Sequence, residues 1–287
     1  MTGKSTSGNF RNLTLVAVVG LITVVLMAAG CLGNDQVTTP ERITVTGSTT
    51  VLPIAEQARE AFEAQDASAE IMVSGGGSSV GVKAAGEGTA DIGMSSRDLK
   101  PRETTSYPGL VKHHIADDAI LLVVNAQNSV ESLTLDEIRG IYNGTYTSWN
   151  QVGGSEAQIV VVGRDSASGT REFFSEFVMD EEDFVKTQEE FNSNGGIQQK
   201  VSQTPGAIGY VGLGYTAGVK PLALDVDGTD VRPTLRNITD GTYPISRPLF
   251  MLTNGEPEGL SQRYIDFILS AEGQEIVASE DYIPVRG

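Results

Sequence analysis

The chain has 287 residues, 39% of them hydrophobic and 20% charged, with a formal net charge of −17 and one cysteine, Cys31. That acidity excludes binding to nucleic acid or anionic lipid through a general basic face. A single cysteine excludes an internal disulfide, so a folded domain must be held by its core, for which the length is ample.

The first thirty residues read as a secretory signal. Lys4 and Arg11 precede the apolar run "LTLVAVVGLITVVLMAAGC", which ends in small residues just before Cys31. "AAGC" resembles a lipobox, in which the cysteine is lipidated and begins the mature chain; an uncleaved anchor is the alternative, the run being nearly long enough to span a bilayer. Loss of residues 1–30 removes Lys4 and Arg11 and no acid, moving the charge from −17 to −19. Either way the remainder is expected outside the membrane and tethered to it, with 31–41 as a polar tether.

From residue 41 strands alternate with helices. "RITVTG" (42–47) is a strand, and Val51, Ile54, Ala55, Ala58 and Phe62 trace one face of a helix. "AEIMVSG" is a strand, a helix follows from about Ser79, and "ADIGMSS" is strand-like. "AILLVVN" (119–125) is apolar throughout, as in a strand buried on both faces. Thr134 and Glu137 form a capping box. "QIVVVG", a polar helical region to about 203, "GAIGYVG", "RPLFMLTN" and two short helices complete the chain. The alternation predicts an α/β fold with mainly parallel sheets.

Four strand-to-helix turns share one chemistry. They carry Ser48, Thr49 and Thr50; Ser78 and Ser79; Ser95, Ser96 and Arg97; and Arg164, Ser168, Gly169 and Thr170. Any one of these serines or threonines can be a plain N-cap, which contributes about 1 kcal/mol. Four such turns, two with an arginine, could instead surround a tetrahedral oxyanion with hydroxyls and bare helix-start N–H groups, without a metal or cofactor. Gly77-Ser78-Ser79-Val80-Gly81 also fits G-x-S-x-G, which would make Ser79 an esterase nucleophile. The only histidines, His113 and His114, lie together in a strand-like segment poorly suited to a general base. No P-loop and no metal-spaced Cys/His cluster occurs.

Taken in order, "GSTTVLP", "SGGGSSVG", "VKAAGEGTADIGMSSR", "GRDSASGTREFF", "TPGAIGYV" and "YPISRPLF" resemble the phosphate-binding protein of the ABC-type phosphate importer, in its shorter branch. The resemblance runs from about Ile43 to Val285. It implies a type II periplasmic-binding-protein fold: two lobes, 41–124 plus 246–287 and 125–245, joined by crossover strands at "AILLVVN" and "RPLFML". It implies a monomer that closes on inorganic phosphate and delivers it to an ABC permease, without enzymatic activity. The anion would be held by Thr49, Thr50, Ser78, Arg164, Ser168, Gly169 and Thr170. Ser96 stands where long members of the family carry an aspartate that accepts the phosphate proton. The departure leaves sulfate, molybdate or tungstate open as ligands, and it points to Asp118 as the displaced acceptor, with Arg97 paired to it or touching the anion.

Overall fold

In the computed structural model, residues 1–3 and 40–285 are described, and residues 40 onward pack as one compact unit. The signal segment, nearly all of the tether and Cys31 lie outside the described residues.

The first strand, β1 (Glu41–Gly47), leads into α1 (Leu52–Gln65), whose buried face is Ile54, Ala55, Ala58 and Phe62, the predicted stripe. β2 (Ala69–Gly75) and α2 (Ser78–Glu87) follow, then β3 (Ile92–Ser95) and the short α3 (Pro101–Ser106). A 16-residue strand, β4 (Leu110–Asn125), comes next, then β5 (Ser132–Thr134) and α4 (Leu135–Tyr142) with its Thr134–Glu137 capping box. β6 (Val160–Arg164) feeds α5 (Gly169–Phe177); β7 (Glu189–Phe191) precedes α6 (Asn194–Gln203) and β8 (Ala207–Gly212). A meander of β9 (Val219–Pro221), β10 (Ala223–Val226) and β11 (Thr229–Val231) reaches α7 (Leu235–Thr239). β12 (Ser246–Asn254), α8 (Gly259–Ile268), α9 (Ala271–Ser279) and β13 (Ile283–Pro284) close the chain.

The main sheet runs β2-β1-β3-β12-β4-β8-β6-β7, with β13 and β9 also pairing β4; β11, β10 and β5 form a small separate sheet. β4 belongs to both halves of the main sheet. Its residues 110–119 pair antiparallel with β12, and its residues 120–124 pair antiparallel with β8. All of 119–125 is buried, as an unbroken apolar run covered on both faces requires. The sheet is therefore mixed rather than mainly parallel. Strands of the strand–helix units pair in parallel, β1 with β2 and β3, and β6 with β7 and β8. The long strand and its return partner run against their neighbours. β7 falls inside the region expected to be helical; its sequence, Glu-Glu-Phe, carries no apolar alternation to mark it.

This topology places the starts of α1, α2, α5 and α6 at the C-terminal ends of parallel strands, where ligands of open α/β sheets bind. Gly47 allows the first turn: its φ of +138° suits glycine, and a Cβ there would lie 2.3 Å from the Met94 carbonyl oxygen.

Candidate anion-binding site

The four helix starts converge. Thr50 Oγ1, in the turn before α1, lies 3.2 Å from Thr170 Oγ1 of α5, and the Ser79 N–H of α2 donates to the Ala167 carbonyl at 3.1 Å. Ser78 Oγ accepts the Ser96 N–H at 3.0 Å and lies 3.2 Å from Ser96 Oγ. Gly169 packs so closely on Ser78 that an added Cβ would lie 2.3 Å from Ser78 Oγ. Thr49, Thr50, Ser78, Ser96, Asp118, Arg164, Ser168 and Thr170 are all buried. Thr50, Ser78, Ser96, Gly169 and Thr170 thus meet in the buried interior.

Two of the hydroxyls also bind the local backbone, Ser168 as a helix cap and Ser48 within a turn. Ser168 caps α5, accepting the Arg171 N–H at 3.1 Å, and Ser48 accepts the Thr50 N–H at 3.2 Å. The cap and the site are compatible for Ser168: a hydroxyl that accepts from the helix keeps its own proton to donate.

Arg164 ends β6 and is 1% exposed. Its Nε donates to the Phe191 carbonyl at 3.3 Å and its Nη2 to the Asn192 carbonyl at 3.1 Å. Nη1 is buried and has no protein partner. Burial pushes this guanidinium down to about 10, and the nearby Arg247 pushes the same way. It stays cationic at neutral pH, without a carboxylate among its hydrogen-bond partners, and that is an unstable arrangement unless an anion compensates it.

Arg97 does not occupy the role expected of it. Its Nη1 and Nη2 each donate to a Glu103 carboxylate oxygen at 2.8 Å, its Nη2 reaches Ser79 Oγ at 3.2 Å, and its Nε lies 2.9 Å from Glu172 Oε2. Two carboxylates claim it, and it does not pair with Asp118. The arginine paired with Asp118 is Arg247. Its Nε and Nη2 donate to Asp118 Oδ2 at 3.0 and 2.8 Å, while the Leu213 N–H donates to Oδ1 at 2.9 Å. Burial pushes the Asp118 carboxyl up, against the pull of Arg247 and these N–H donors. The three donated hydrogen bonds favour the charged form, and the two side chains face each other in register on β4 and β12.

Arg247 and Asn194 are members of the cluster that the sequence reading passed over. Asn194 Nδ2 donates to Thr49 Oγ1 at 3.2 Å and to Thr50 Oγ1 at 3.0 Å, which ties α6 to α1. Its only sequence signal is a position among small polar residues before a helix. Arg247 stood inside "YPISRPLF", a segment that reads as a strand and shows nothing of its partner 129 residues away.

Ser79 has no triad. His113 Nε2 bonds with Thr253 Oγ1 and His114 Nε2 with Asp117 Oδ1, both at 2.8 Å, so neither histidine serves the serine as a base.

Comparison with known proteins identifies the cluster's family. The PBP superfamily domain matches residues 34–272. The phosphate-binding protein PstS of Bacillus subtilis is 33% identical over 244 residues, spanning 85% of this chain and 80% of that protein. The chain belongs to the PstS-type phosphate-binding proteins. Among solved structures, a candidate phosphate ABC transporter substrate-binding protein with bound phosphate, from Clostridium perfringens, superposes with a TM-score of 0.80 at 38% identity. That alignment covers 86% of this chain and all of the other. An ABC-type phosphate transport receptor from Vibrio cholerae gives 0.69 at 31% identity, covering 85% of this chain and all of that one. The fold is accordingly the two-lobed α/β fold of the family. PstS-type proteins are transport receptors and not enzymes, which removes the Ser79 esterase.

Proposed function

We propose that the protein captures inorganic phosphate outside the membrane and delivers it to an ABC permease when its two lobes close. One lobe comprises 41–124 plus 246–287 and the other 125–245, with β4 and β12 as the connecting strands. Thr49, Thr50, Ser78 and Ser96 supply the first half of the cage, and Arg164, Ser168, Gly169 and Thr170 supply the second.

One observation carries this reading: Arg164, at the end of the strand that feeds α5, is buried and cationic with no partner for Nη1, while the starts of α1 and α5 meet through Thr50 and Thr170. A guanidinium donates charge-assisted hydrogen bonds to phosphate oxygens, and each hydrogen bond involving a charged group contributes about 1.5–3 kcal/mol. The helix-start N–H groups add roughly 0.3–2 kcal/mol each. Much of this offsets the stripping of water from a dianion, and a net of about −8 kcal/mol gives micromolar affinity. The net charge of −17 repels anions at long range, so selectivity rests on these fixed local donors. Equilibrium dialysis against labelled phosphate tests the proposal: one phosphate per chain is expected, and no retention at millimolar phosphate contradicts it.

The anchoring of the protein to the membrane through a lipid on Cys31 belongs to the same proposal, supported by the "AAGC" junction after a basic and then apolar segment. Cys31→Ser should abolish incorporation of labelled fatty acid and leave the precursor uncleaved.

A further inference from the structure

Arg247 occupies a place in the molecule that a structural ion pair alone does not explain. It sits on β12, directly opposite Asp118 on β4, at the point where β4 passes from pairing with β12 to pairing with β8. Both side chains are fully buried. Nε and Nη2 satisfy Asp118, but Nη2 also donates to Thr50 Oγ1 at 3.3 Å and Thr170 Oγ1 at 2.9 Å. Those two hydroxyls belong to the facing helix starts of the two lobes. Nη1 is buried and has no protein partner. A guanidinium that uses one edge on a carboxylate, touches both halves of the cage and keeps a buried, unpartnered donor is suited to meet an anion.

We propose that Arg247 is a second anion-binding guanidinium, supplied by the hinge, and that Asp118 holds it in position rather than accepting a proton from the ligand. This rests on the phosphate-capture reading and deepens it. Both Asp118 oxygens are already engaged, Oδ2 by two guanidinium donors and Oδ1 by Leu213 N–H. The pair is close to neutral as a unit, so Arg164 remains the net charge of the cage, while Arg247 adds directed hydrogen bonds. Because Arg247 lies on a connecting strand and bonds to both lobes, an anion on its Nη1 would favour the closed arrangement.

The titration partners are phosphate and sulfate, on the wild type and on Arg247→Lys, Arg247→Gln and Asp118→Asn, each checked for an unchanged melting transition without anion. The expected result is a loss of phosphate affinity of about tenfold or more in Arg247→Lys and a greater loss in Arg247→Gln. Asp118→Asn should weaken phosphate and sulfate in equal proportion. Binding within threefold of wild type in both folded Arg247 variants would overturn the proposal. A selective loss of phosphate relative to sulfate in Asp118→Asn would overturn its second half and restore Asp118 as a proton acceptor. If the variants do not fold, nitrogen-15 spectra of the wild-type guanidinium groups decide: phosphate should shift the resonances of two buried arginines, and a shift in Arg164 alone means that Arg247 meets no anion. A wild type that binds phosphate while these tests fail removes this inference only, whereas a wild type that binds none removes the function as well.

Discussion

Thr50 Oγ1 and Thr170 Oγ1 lie 3.2 Å apart, although 120 residues separate them in the chain. Thr50 lies in the turn just before α1 and Thr170 in the first turn of α5, so in the proposed division into lobes the contact joins the two halves of the cage. In the proposed mechanism closure and capture are one event, and perturbing either should perturb both.

Gly169 tests the closeness of that fit. An alanine Cβ would lie 2.3 Å from Ser78 Oγ, 2.8 Å from Ser78 Cβ and 3.1 Å from Arg97 Cγ, all in what is proposed as the opposite lobe. Alanine suits the start of α5 itself, so each lobe should fold. Gly169→Ala should keep the melting transition of the empty protein and lose phosphate affinity by about tenfold or more, corresponding to roughly 1.4 kcal/mol. Titration calorimetry checks this; an unchanged affinity would mean that the lobes need not meet here.

Glu172 of α5 reaches across to Arg97 Nε at 2.9 Å and Lys100 Nζ at 2.5 Å. These groups are mostly buried, so the pair escapes much of the screening that weakens surface ion pairs. Glu172→Gln should speed phosphate release roughly 5- to 30-fold, the equivalent of 1–2 kcal/mol, with little change in association. Stopped-flow displacement measures it, and equal release rates would remove Glu172 from closure.

Glu103 gives the protein an acid-sensitive element. Burial pushes its carboxyl up, but the Arg97 hydrogen bonds, the Lys100 N–H and the adjacent cations outweigh burial and hold it below 4.5. A depressed carboxylate contributes stability that is fully present above its unfolded pKa and lost as pH falls through the folded value. Glu103→Gln should lower stability near neutrality by about 2 kcal/mol and flatten the decline below pH about 4.5. Parallel acid limbs in denaturant titrations of the two proteins would contradict this.

Arg164 predicts the alkaline behaviour. Its folded pKa of about 10 lies below the ordinary 12.5, so the unfolded chain binds more protons between those values. Holding the cation costs stability in the empty protein below pH 10, and the stability of that form gains from this group as pH rises through the window. Bound phosphate reverses the sign, because it needs the cation. The rise in melting temperature given by saturating phosphate should therefore shrink as pH passes about 10; a constant rise to pH 11 would mean that Arg164 does not face the anion.

Much of this was readable from local pattern. The stripe from Ile54 to Phe62 and the Thr134–Glu137 box are set by neighbours within one helix. The convergence of Ser, Thr and Gly at helix starts followed from repetition of one turn chemistry. What escaped depends on partners far apart in sequence. Arg97 looked available because nothing local shows that Glu103 and Glu172 claim it. Arg247 looked like an ordinary strand residue because its function is set by register with Asp118, 129 positions earlier. The segments of β4 and β12 read as strands, but their antiparallel pairing, and hence the mixed sheet, depends on a chain reversal that apolar runs do not encode.

Titration calorimetry of wild type and Arg164→Ala with phosphate and then sulfate near neutral pH tests the central claim most directly. The account predicts one phosphate per wild-type chain at about micromolar affinity or tighter, and a loss of at least about a hundredfold, or 2.7 kcal/mol, in Arg164→Ala. Undiminished phosphate binding by folded Arg164→Ala, or a wild type that takes sulfate and not phosphate, would contradict it.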